Sequence, residues 1–290
     1  MDDQAQQPAR RSFASHPRNW RDNRYVYPVI SRRAGGLSIG INLAPDKRCN
    51  FRCVYCQVDR TCPGASGEVD LRVLRDELQE MVRLARSGDL FNDASLRDVP
   101  PALRRLRDIA FSGDGEPTIS PAFADAVRVA VDVRRRHATD DVWLVLITNS
   151  SRLAHPALQE AINELVTANG QIWAKLDAGT EDYFRQINRA GIPLRHILAN
   201  ITHAARRWPL IIQSLWVRID DVPPADAQVS RFADRLVEIG SAGGMIQLVQ
   251  LYTVARPPAE RFVSPLTARE LDHIAELVRA RADVAVAVFA

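Results

Sequence analysis

Three cysteines, Cys49, Cys53 and Cys56, form a C-x3-C-x2-C pattern after a short apolar segment. Thiolates are the ligands that bind iron–sulfur clusters and zinc, and three of them so close in sequence can surround one metal centre. A structural zinc site has four protein ligands, whereas a centre with an open position is one at which the metal does chemistry. The spacing therefore predicts an open metal site, with a structural zinc site completed by Cys62 or a histidine as the alternative.

The composition is that of an ordinary soluble protein: 290 residues, 46% hydrophobic and 25% charged, enough to bury a sizeable core. The net charge of +3 does not by itself indicate nucleic-acid binding, although the first 33 residues carry seven arginines against three aspartates. The N-terminus lacks the apolar core of a signal peptide, and the sequence lacks an apolar run of membrane-spanning length. We therefore expect a cytoplasmic protein without membrane contact, in which clustered thiols bind metal rather than form disulfides.

Strand-like and helical patterns alternate along most of the chain. Residues 1–22 are polar and are predicted to form a disordered arm, and residues 23–290 are predicted to form one core domain. The aromatic and basic residues between positions 23 and 33 are interpreted as a segment packed across a barrel end. Strands are predicted at 37–43, 107–112, 142–148, 171–177, 210–218, 245–252 and 284–289. Helices are predicted at 71–85, 121–136, 156–167, 181–188, 194–207, 225–239 and 267–281.

This alternation indicates βαβ units with parallel strand pairing. The strand predicted at 142–148 is almost entirely apolar, as strands covered on both faces are. We therefore predict a single α/β domain built as an open or partial barrel. A doubly wound sheet is the alternative, since strand order cannot be obtained from periodicity.

Polar residues gather late in these strands or directly after them. A glycine-rich turn, residues 112–118, follows the second predicted strand, and the polar segment 148–151 follows the third. Lys175 and Asp177 end the fourth, and Arg218 ends the fifth. Because the carboxyl ends of parallel strands build ligand sites, we expect these groups to meet the cysteine loop at one barrel mouth.

Each group also has a structural interpretation. The glycines can serve a tight turn, and Asn149 with its neighbouring serines can cap a helix. Lys175 and Asp177 lie on one strand face and can form an ion pair, although a buried charge at a strand end favours function. Gln213 and Gln250 are weaker candidates, because each differs in strand parity from a polar neighbour on the same strand.

The cysteine pattern, with Tyr55 directly before the last cysteine, resembles the radical S-adenosylmethionine (SAM) superfamily. The Gly-Asp-Gly-Glu-Pro-Thr run that begins at Gly113 is similar to the motif that meets the methionyl amino group of SAM in that family. This run, Thr148–Ser151 and Lys175–Asp177 also resemble segments of the wyosine-synthase-like branch, whose members build a tricyclic base in transfer RNA. Gln57 departs from this pattern, because those enzymes generally have Trp after the third cysteine.

The resemblance implies a partial (β/α)6 TIM-like barrel in which Cys49, Cys53 and Cys56 hold a [4Fe–4S] cluster. The amino and carboxylate groups of SAM would bind the fourth iron. An electron from an external reductant such as flavodoxin or ferredoxin would then cleave SAM to methionine and a 5′-deoxyadenosyl radical, which abstracts hydrogen from a substrate. Transfer RNA is one candidate substrate. The alternatives are a zinc- or iron–sulfur-binding module and an electron carrier that does not cleave SAM.

The resemblance also implies which residues bind SAM. Gly113 and Gly115 would let the backbone approach the cofactor, and Glu116 would accept a hydrogen bond from its ammonium group. Asn149 and Ser151 are assigned to the ribose hydroxyls. Lys175 or Arg218 would meet the methionyl carboxylate, and Tyr55 would lie near the adenine. The full predicted set of cofactor-binding residues is Tyr55, Gly113, Gly115, Glu116, Asn149, Ser151, Lys175, Asp177 and Arg218.

Overall fold

Strands and helices alternate in the computed structural model, which describes residue 13 and residues 20–65, 67–137, 141–258 and 260–290. The strands, β1 to β10 in chain order, are Val26–Ser31, Gly36–Ile41, Leu106–Phe111, Trp143–Thr148, Gly170–Lys175, Leu210–Leu215, Val217–Ile219, Ile246–Tyr252, Val263–Pro265 and Val286–Phe289. The α-helices, α1 to α7, are Leu71–Ser87, Phe123–His137, Gln159–Thr167, Glu181–Asn188, Leu194–Ala205, Asp226–Ser241 and Ala268–Arg281. Each of the seven predicted helices and seven predicted strands has a counterpart, most with shifted ends, and the strand predicted at 210–218 is divided in two. Within the described ranges, none of the helices is both long and apolar enough to cross a membrane.

The chain divides into two compact units, each made of segments that are distant in sequence. The first unit comprises Met1–Arg48, Gly64–Leu146 and Glu160–Gly170, and the second comprises Cys49–Pro63, Ile147–Gln159 and Gln171–Ala290. That residues 23–290 form one domain therefore stays a prediction.

Most of the predicted N-terminal arm, residues 1–12 and 14–19, lies outside the described residues. Trp20 is buried, and its carbonyl accepts a hydrogen bond from the Asn23 amide at 2.9 Å. Packing of the chain therefore begins before residue 23.

In the first unit, β1 pairs antiparallel with β2, β2 pairs parallel with β3, and β3 pairs parallel with β4. Strand β1 corrects the sequence interpretation, because residues 23–33 contain a strand of the sheet and not a segment that crosses a barrel end. Pro28 lies in the middle of this strand and lacks an N–H donor. Proline is tolerated there because β1 is the edge strand of the sheet among the described residues, where it pairs with β2.

Two helices of the first unit, α1 and α2, pack against each other. The side chain of Asp70 caps α1 by accepting hydrogen bonds from the amides of Arg72 and Val73. Gly88 ends the helix in the left-handed conformation, at φ 83°. Local capping and an apolar face therefore account for the predicted position of α1.

In the second unit, β5, β6, β8 and β10 pair in parallel in that order. All six residues of β6 are buried, as expected for a strand covered on both faces. The strand predicted at 210–218 is in fact two strands, because the chain leaves the parallel sheet at Trp216. Strand β7 then pairs antiparallel with β9 in a separate two-stranded sheet. Arg218 therefore lies outside the parallel sheet, contrary to the sequence prediction.

Candidate functional site

The cysteine loop, residues 49–63, consists of turns and irregular backbone held by the C-terminal end of α4. The amide of Arg52 donates to the carbonyl of Asn188 at 3.1 Å, and the amide of Val54 donates to the carbonyl of Ile187 at 2.9 Å. The last carbonyls of a helix have no partner within the helix, so they are available to a neighbouring segment. Arg189 ends α4 in the left-handed conformation. The end of a short helix thus fixes the backbone between the first and third cysteines.

Each of the three thiols accepts a long N–H···S contact from a side chain. The contacts join Asn149 Nδ2 to Cys49 (4.0 Å), Asn188 Nδ2 to Cys53 (3.5 Å) and Arg60 Nη2 to Cys56 (3.9 Å). Donors directed at sulfur stabilise negative charge there. All four cysteines of the chain lie among the described residues, and none of them forms a disulfide.

The surroundings of Cys53 oppose ionisation of its thiol. Burial and the nearby carboxylate of Asp177 raise the pKa of Cys53 to about 12, against the charge of Lys175 and the hydrogen bond from Asn188. A thiol binds metal as the thiolate, so metal binding must displace this proton.

The chemistry of the donor set fits an iron–sulfur cluster, since it offers three thiols, each with a polar hydrogen directed at its sulfur. Within the ranges that the structure describes, no group of three or more His, Cys, Asp or Glu side chains is arranged as a ready metal-ligand set.

Asn50, which lies inside the cysteine motif, joins the loop to the polar segment after β4. Its side-chain oxygen accepts from Asn149 Nδ2 at 2.7 Å, and its Nδ2 donates to Ser151 Oγ at 2.9 Å. The amide of Ser151 in turn donates to Asn149 Oδ1 at 3.0 Å. Asn149 and Ser151, predicted to bind the ribose of SAM, therefore hold the cysteine loop. Sequence reasoning missed Asn50, although a polar residue between two motif cysteines is a signal that could have identified it.

Lys175 lies between two aromatic rings and beside a carboxylate. Its Nζ is 3.3 Å from Asp177 Oδ1 and 2.8 Å from Tyr252 Oη. The same nitrogen is 5.0 Å from the centre of the Tyr55 ring and 5.2 Å from the centre of the Tyr252 ring. Burial alone would lower the pKa of Lys175, but Asp177 and Tyr252 outweigh burial and raise it. Lys175 is therefore a cation, and the predicted ion pair with Asp177 is formed.

Asp177 is the centre of a buried network. Its Oδ1 accepts from the amide of Leu215 at 2.9 Å as well as from Lys175. Its Oδ2 accepts from the hydroxyl of Tyr55 and, at 2.8 Å, from Asn188 Nδ2. Burial and the charge of Asp177 raise the pKa of Tyr55, which keeps its phenol protonated as a donor.

Gln213 and Gln250 form a hydrogen-bonded pair across adjacent strands. They are register partners on β6 and β8, and Gln213 is also the register partner of Lys175 on β5. Gln213 Nε2 donates to Gln250 Oε1 at 2.8 Å, whereas Gln213 Oε1 is buried without a partner in the described part of the chain. Comparing each glutamine with a polar neighbour on its own strand therefore did not reveal this pair, because the two side chains lie on adjacent strands and contact each other across them.

The glycine-rich turn, residues 112–118, belongs to the first unit. Atoms of other residues of that unit occupy the space beside its two glycines. A Cβ on Gly113, which has φ 138°, would lie 2.5 Å from Asn42 Oδ1, and a Cβ on Gly115 would overlap the carbonyl oxygen of Arg48. Glu116 is buried, and its Oε1 accepts from the hydroxyl of Thr118 at 2.6 Å. These contacts explain on structural grounds why Gly113, Gly115 and Glu116 occupy their positions. Their roles in binding SAM stay predictions.

Arg218 is engaged away from the parallel sheet. Its Nη2 lies 2.6 Å from Glu270 Oε1, and its Nη1 donates to the carbonyl of Asp221 at 2.8 Å. Its assignment to the SAM carboxylate stays a prediction. The second unit thus brings together the cysteine loop, Tyr55, the Asn149–Ser151 segment and the Lys175–Asp177 pair.

A family model described as the radical SAM superfamily matches residues 45–218, which include this arrangement. A UPF0026 protein of Methanocaldococcus jannaschii is 25% identical over 240 residues, which are 82% of this chain and 65% of that protein. The chain thus spans slightly less than two thirds of the length of this curated relative.

Two solved structures have a similar fold. One is TYW1 with a lysine-pyruvate adduct bound, with a TM-score of 0.54, 13% identity and coverage of 94% of this chain and 82% of that one. The other is Streptococcus suis SuiB bound to S-adenosylmethionine, with a TM-score of 0.54, 10% identity and coverage of 89% of this chain and 49% of that one. These likenesses confirm the predicted α/β fold of the partial (β/α)6 TIM-like barrel class.

Proposed function

The chain belongs to the radical SAM superfamily, and on that premise we propose that Cys49, Cys53 and Cys56 hold a [4Fe–4S] cluster beside a bound SAM. The observation that carries the proposal is the set of N–H donors, one directed at each motif sulfur. When bound, the cluster and SAM would supply reductive cleavage to methionine and a 5′-deoxyadenosyl radical that abstracts hydrogen from a substrate. The protein's own part is to hold the thiolates, orient SAM and exclude water.

Lys175 is the best-supported candidate for the methionyl carboxylate. An ammonium group has three N–H donors, and the contacts to Asp177 and Tyr252 use two of them. No other hydrogen-bond acceptor of this ammonium lies among the described residues, so one donor remains there for an incoming carboxylate, and Asp177 acts by holding the ammonium in place. Arg218, the other candidate, already meets Glu270 with two of its nitrogens. We therefore prefer Lys175 to Arg218.

The remaining predicted contacts are part of the same proposal. Ser151 Oγ accepts a hydrogen bond from Asn50, so its own hydrogen can be donated to a ribose hydroxyl. Asn149 would share this task, and Tyr55 would flank the adenine. Gly113, Gly115 and Glu116 would serve the methionyl amino group. The electron would come from an external one-electron donor such as flavodoxin or ferredoxin in the cytoplasm.

Anaerobic reconstitution of the full chain with iron and sulfide tests the proposal. We expect about four irons and four sulfides per chain, and production of 5′-deoxyadenosine when SAM and a reductant are added. Cys53→Ser should lose the cluster, whereas the control Cys62→Ser, at an exposed cysteine outside the motif, should keep it. A colourless protein with one zinc would overturn the proposal in favour of a zinc module. Redox activity without SAM cleavage would favour an electron carrier.

Transfer RNA is the substrate that we propose to test first. The fold likeness to TYW1 and the seven arginines in the first 33 residues support it. Gel shifts with bulk transfer RNA at increasing salt should show binding that weakens as salt rises. Absence of binding at low salt would favour a small-molecule or peptide substrate.

A further inference from the structure

Asn188 is not among the predicted site residues, yet its side chain joins Cys53 to the buried network around Asp177. It is the last residue of α4 and is 1% exposed. Its Nδ2 lies 2.8 Å from Asp177 Oδ2, 3.3 Å from Tyr55 Oη and 3.5 Å from Cys53 Sγ. One buried amide nitrogen thus faces a carboxylate, a phenol and a motif thiol.

The surroundings determine which end of this amide faces the sulfur. An amide turned by 180° would place Oδ1 against the Asp177 carboxylate, where two acceptors would repel each other. The Tyr55 hydroxyl already donates to the same carboxylate oxygen, so the phenol oxygen is left to accept from Asn188. The nitrogen end of the amide, whose two hydrogens are shared among three acceptors, therefore faces Asp177, Tyr55 and Cys53.

The backbone of Asn188 is fixed as well. Its carbonyl accepts from the amide of Arg52, one residue before Cys53. Asp177 cannot easily move away, because the Leu215 amide and Lys175 both hold its other oxygen. The backbone carbonyl of Asn188 therefore binds the loop just before Cys53, and its side chain contacts the loop at Cys53 and Tyr55.

Resting on the proposed function, we propose that Asn188 is a positioning residue for the cluster, which orients Cys53 and raises the reduction potential through its N–H···S contact. A reduced cluster carries one more negative charge than the oxidised cluster. A donor fixed at a ligand sulfur stabilises that charge, so hydrogen bonds to sulfur are among the factors that set the potential.

The test is an anaerobic redox titration of the reconstituted full chain without SAM, followed by EPR. Asn188→Leu keeps the approximate size of the side chain and removes the donor. We expect about four irons per chain and an equilibrium constant for reduction lowered about tenfold, which is about 59 mV for one electron. The matched control is Asn200→Leu, because the Asn200 amide donates to the carbonyls of Ser150 and Ser151 and not to a thiol. This control should keep the wild-type potential.

An unchanged potential in Asn188→Leu with a full cluster would overturn the inference and leave the proposed function intact. Failure of the wild-type chain to take up iron would instead overturn the proposed function. If Asn188→Leu does not fold, pulsed EPR of the Asn149→Leu chain, labelled with ¹⁵N at asparagine side chains, decides the question. With Asn149 replaced, Asn188 is the remaining asparagine side chain that has a described contact to a motif thiol. Coupling between a labelled nitrogen and the cluster would therefore support the inference. Absence of coupling would overturn it.

Discussion

Two buried carboxylates, one in each unit, are stabilised in different ways. Asp108 lies on β3 in the first unit, and its described side-chain hydrogen bond comes from the hydroxyl of Ser38 on β2. Asp177 follows β5 in the second unit and meets an ammonium, a phenol, an amide side chain and a backbone amide. Both are at most 3% exposed. Burial is therefore similar, and the number and charge of the partners differ.

This difference distinguishes Asp108, which is buried with few partners, from Asp177, whose partners connect it to the candidate site. Burial raises the pKa of Asp108 to about 6, and the hydrogen bond from Ser38 only partly opposes it. Asp177 has a cation beside it, and it accepts hydrogen bonds from Tyr55, which lies in the cysteine loop, and from Asn188, which contacts that loop. A buried charge with several partners near candidate ligands indicates function more strongly than burial alone.

Removal of Asp177 should have the largest effect on stability. Asp177→Ala would leave Lys175 without its ion-pair partner and the Leu215 amide without an acceptor. We expect the free energy of unfolding in urea to fall by about 3–5 kcal/mol. The control is Glu80→Ala, which breaks the exposed Arg83–Glu80 pair and should change stability by less than about 0.5 kcal/mol. Equal losses in the two variants would show that the network around Asp177 contributes little to stability.

The pH dependence of stability should reveal Asp108. Below pH 3.8 the carboxyl is protonated in both states, and between pH 3.8 and about 6 it loses its proton only in the unfolded chain. Asp108 therefore lowers the free energy of unfolding as pH rises through this window, and the loss persists above it. The shift of about two pKa units corresponds to roughly 3 kcal/mol.

Asp108→Asn isolates this contribution from that of the other carboxylates. The variant and the wild type should have similar unfolding free energies at pH 3.5, and the variant should be more stable by about 2–3 kcal/mol at pH 7. Urea unfolding at several pH values gives the difference. A constant difference across the range would contradict the assigned pKa.

Loss of the Ser38 hydroxyl should have the smallest effect, and one that grows with pH. Ser38→Ala removes the donor to Asp108 and should cost about 1 kcal/mol at pH 4 and about 2 kcal/mol at pH 8, where the acceptor is charged. The control is Ser264→Ala, because the Ser264 hydroxyl bonds an exposed Asp221 at 3.2 Å. A loss in Ser38→Ala that is the same at both pH values would mean that Asp108 does not ionise in the folded state.

The sequence predicted most helices and strands, but it did not predict the places where the chain departs from a regular alternation of strands and helices. Periodicity located α4 at 181–188, as found. It failed at β1, where the aromatic and basic residues between positions 23 and 33 were interpreted as a packed segment across a barrel end, although the segment contains an edge strand that accommodates Pro28. It failed again at Arg218, since the buried Trp216 reads as part of one apolar run although the chain changes sheets there.

Sequence analysis proposed the candidate-site residues whose type and position in the sequence by themselves suggest a chemical role. Cysteine spacing and the polar strand ends gave the thiols, Lys175 and Asp177. Asn188 was missed because its importance depends on the helix end meeting the cysteine loop more than a hundred residues away in sequence, which is a tertiary contact. The Gln213–Gln250 pair depends on the register between two strands, which a single sequence does not contain.

The hydrogen bonds between the end of α4 and the cysteine loop also couple the stabilities of the two segments. A helix of eight residues is marginal by itself, so α4 depends on its tertiary contacts. Fraying of its last turn would release the amides of Arg52 and Val54, and the loop would lose its anchor. By thermodynamic linkage, a ligand that binds only the ordered loop must slow hydrogen exchange at the end of α4. A ligand present at a hundred times its Kd would add about 2.7 kcal/mol to that protection.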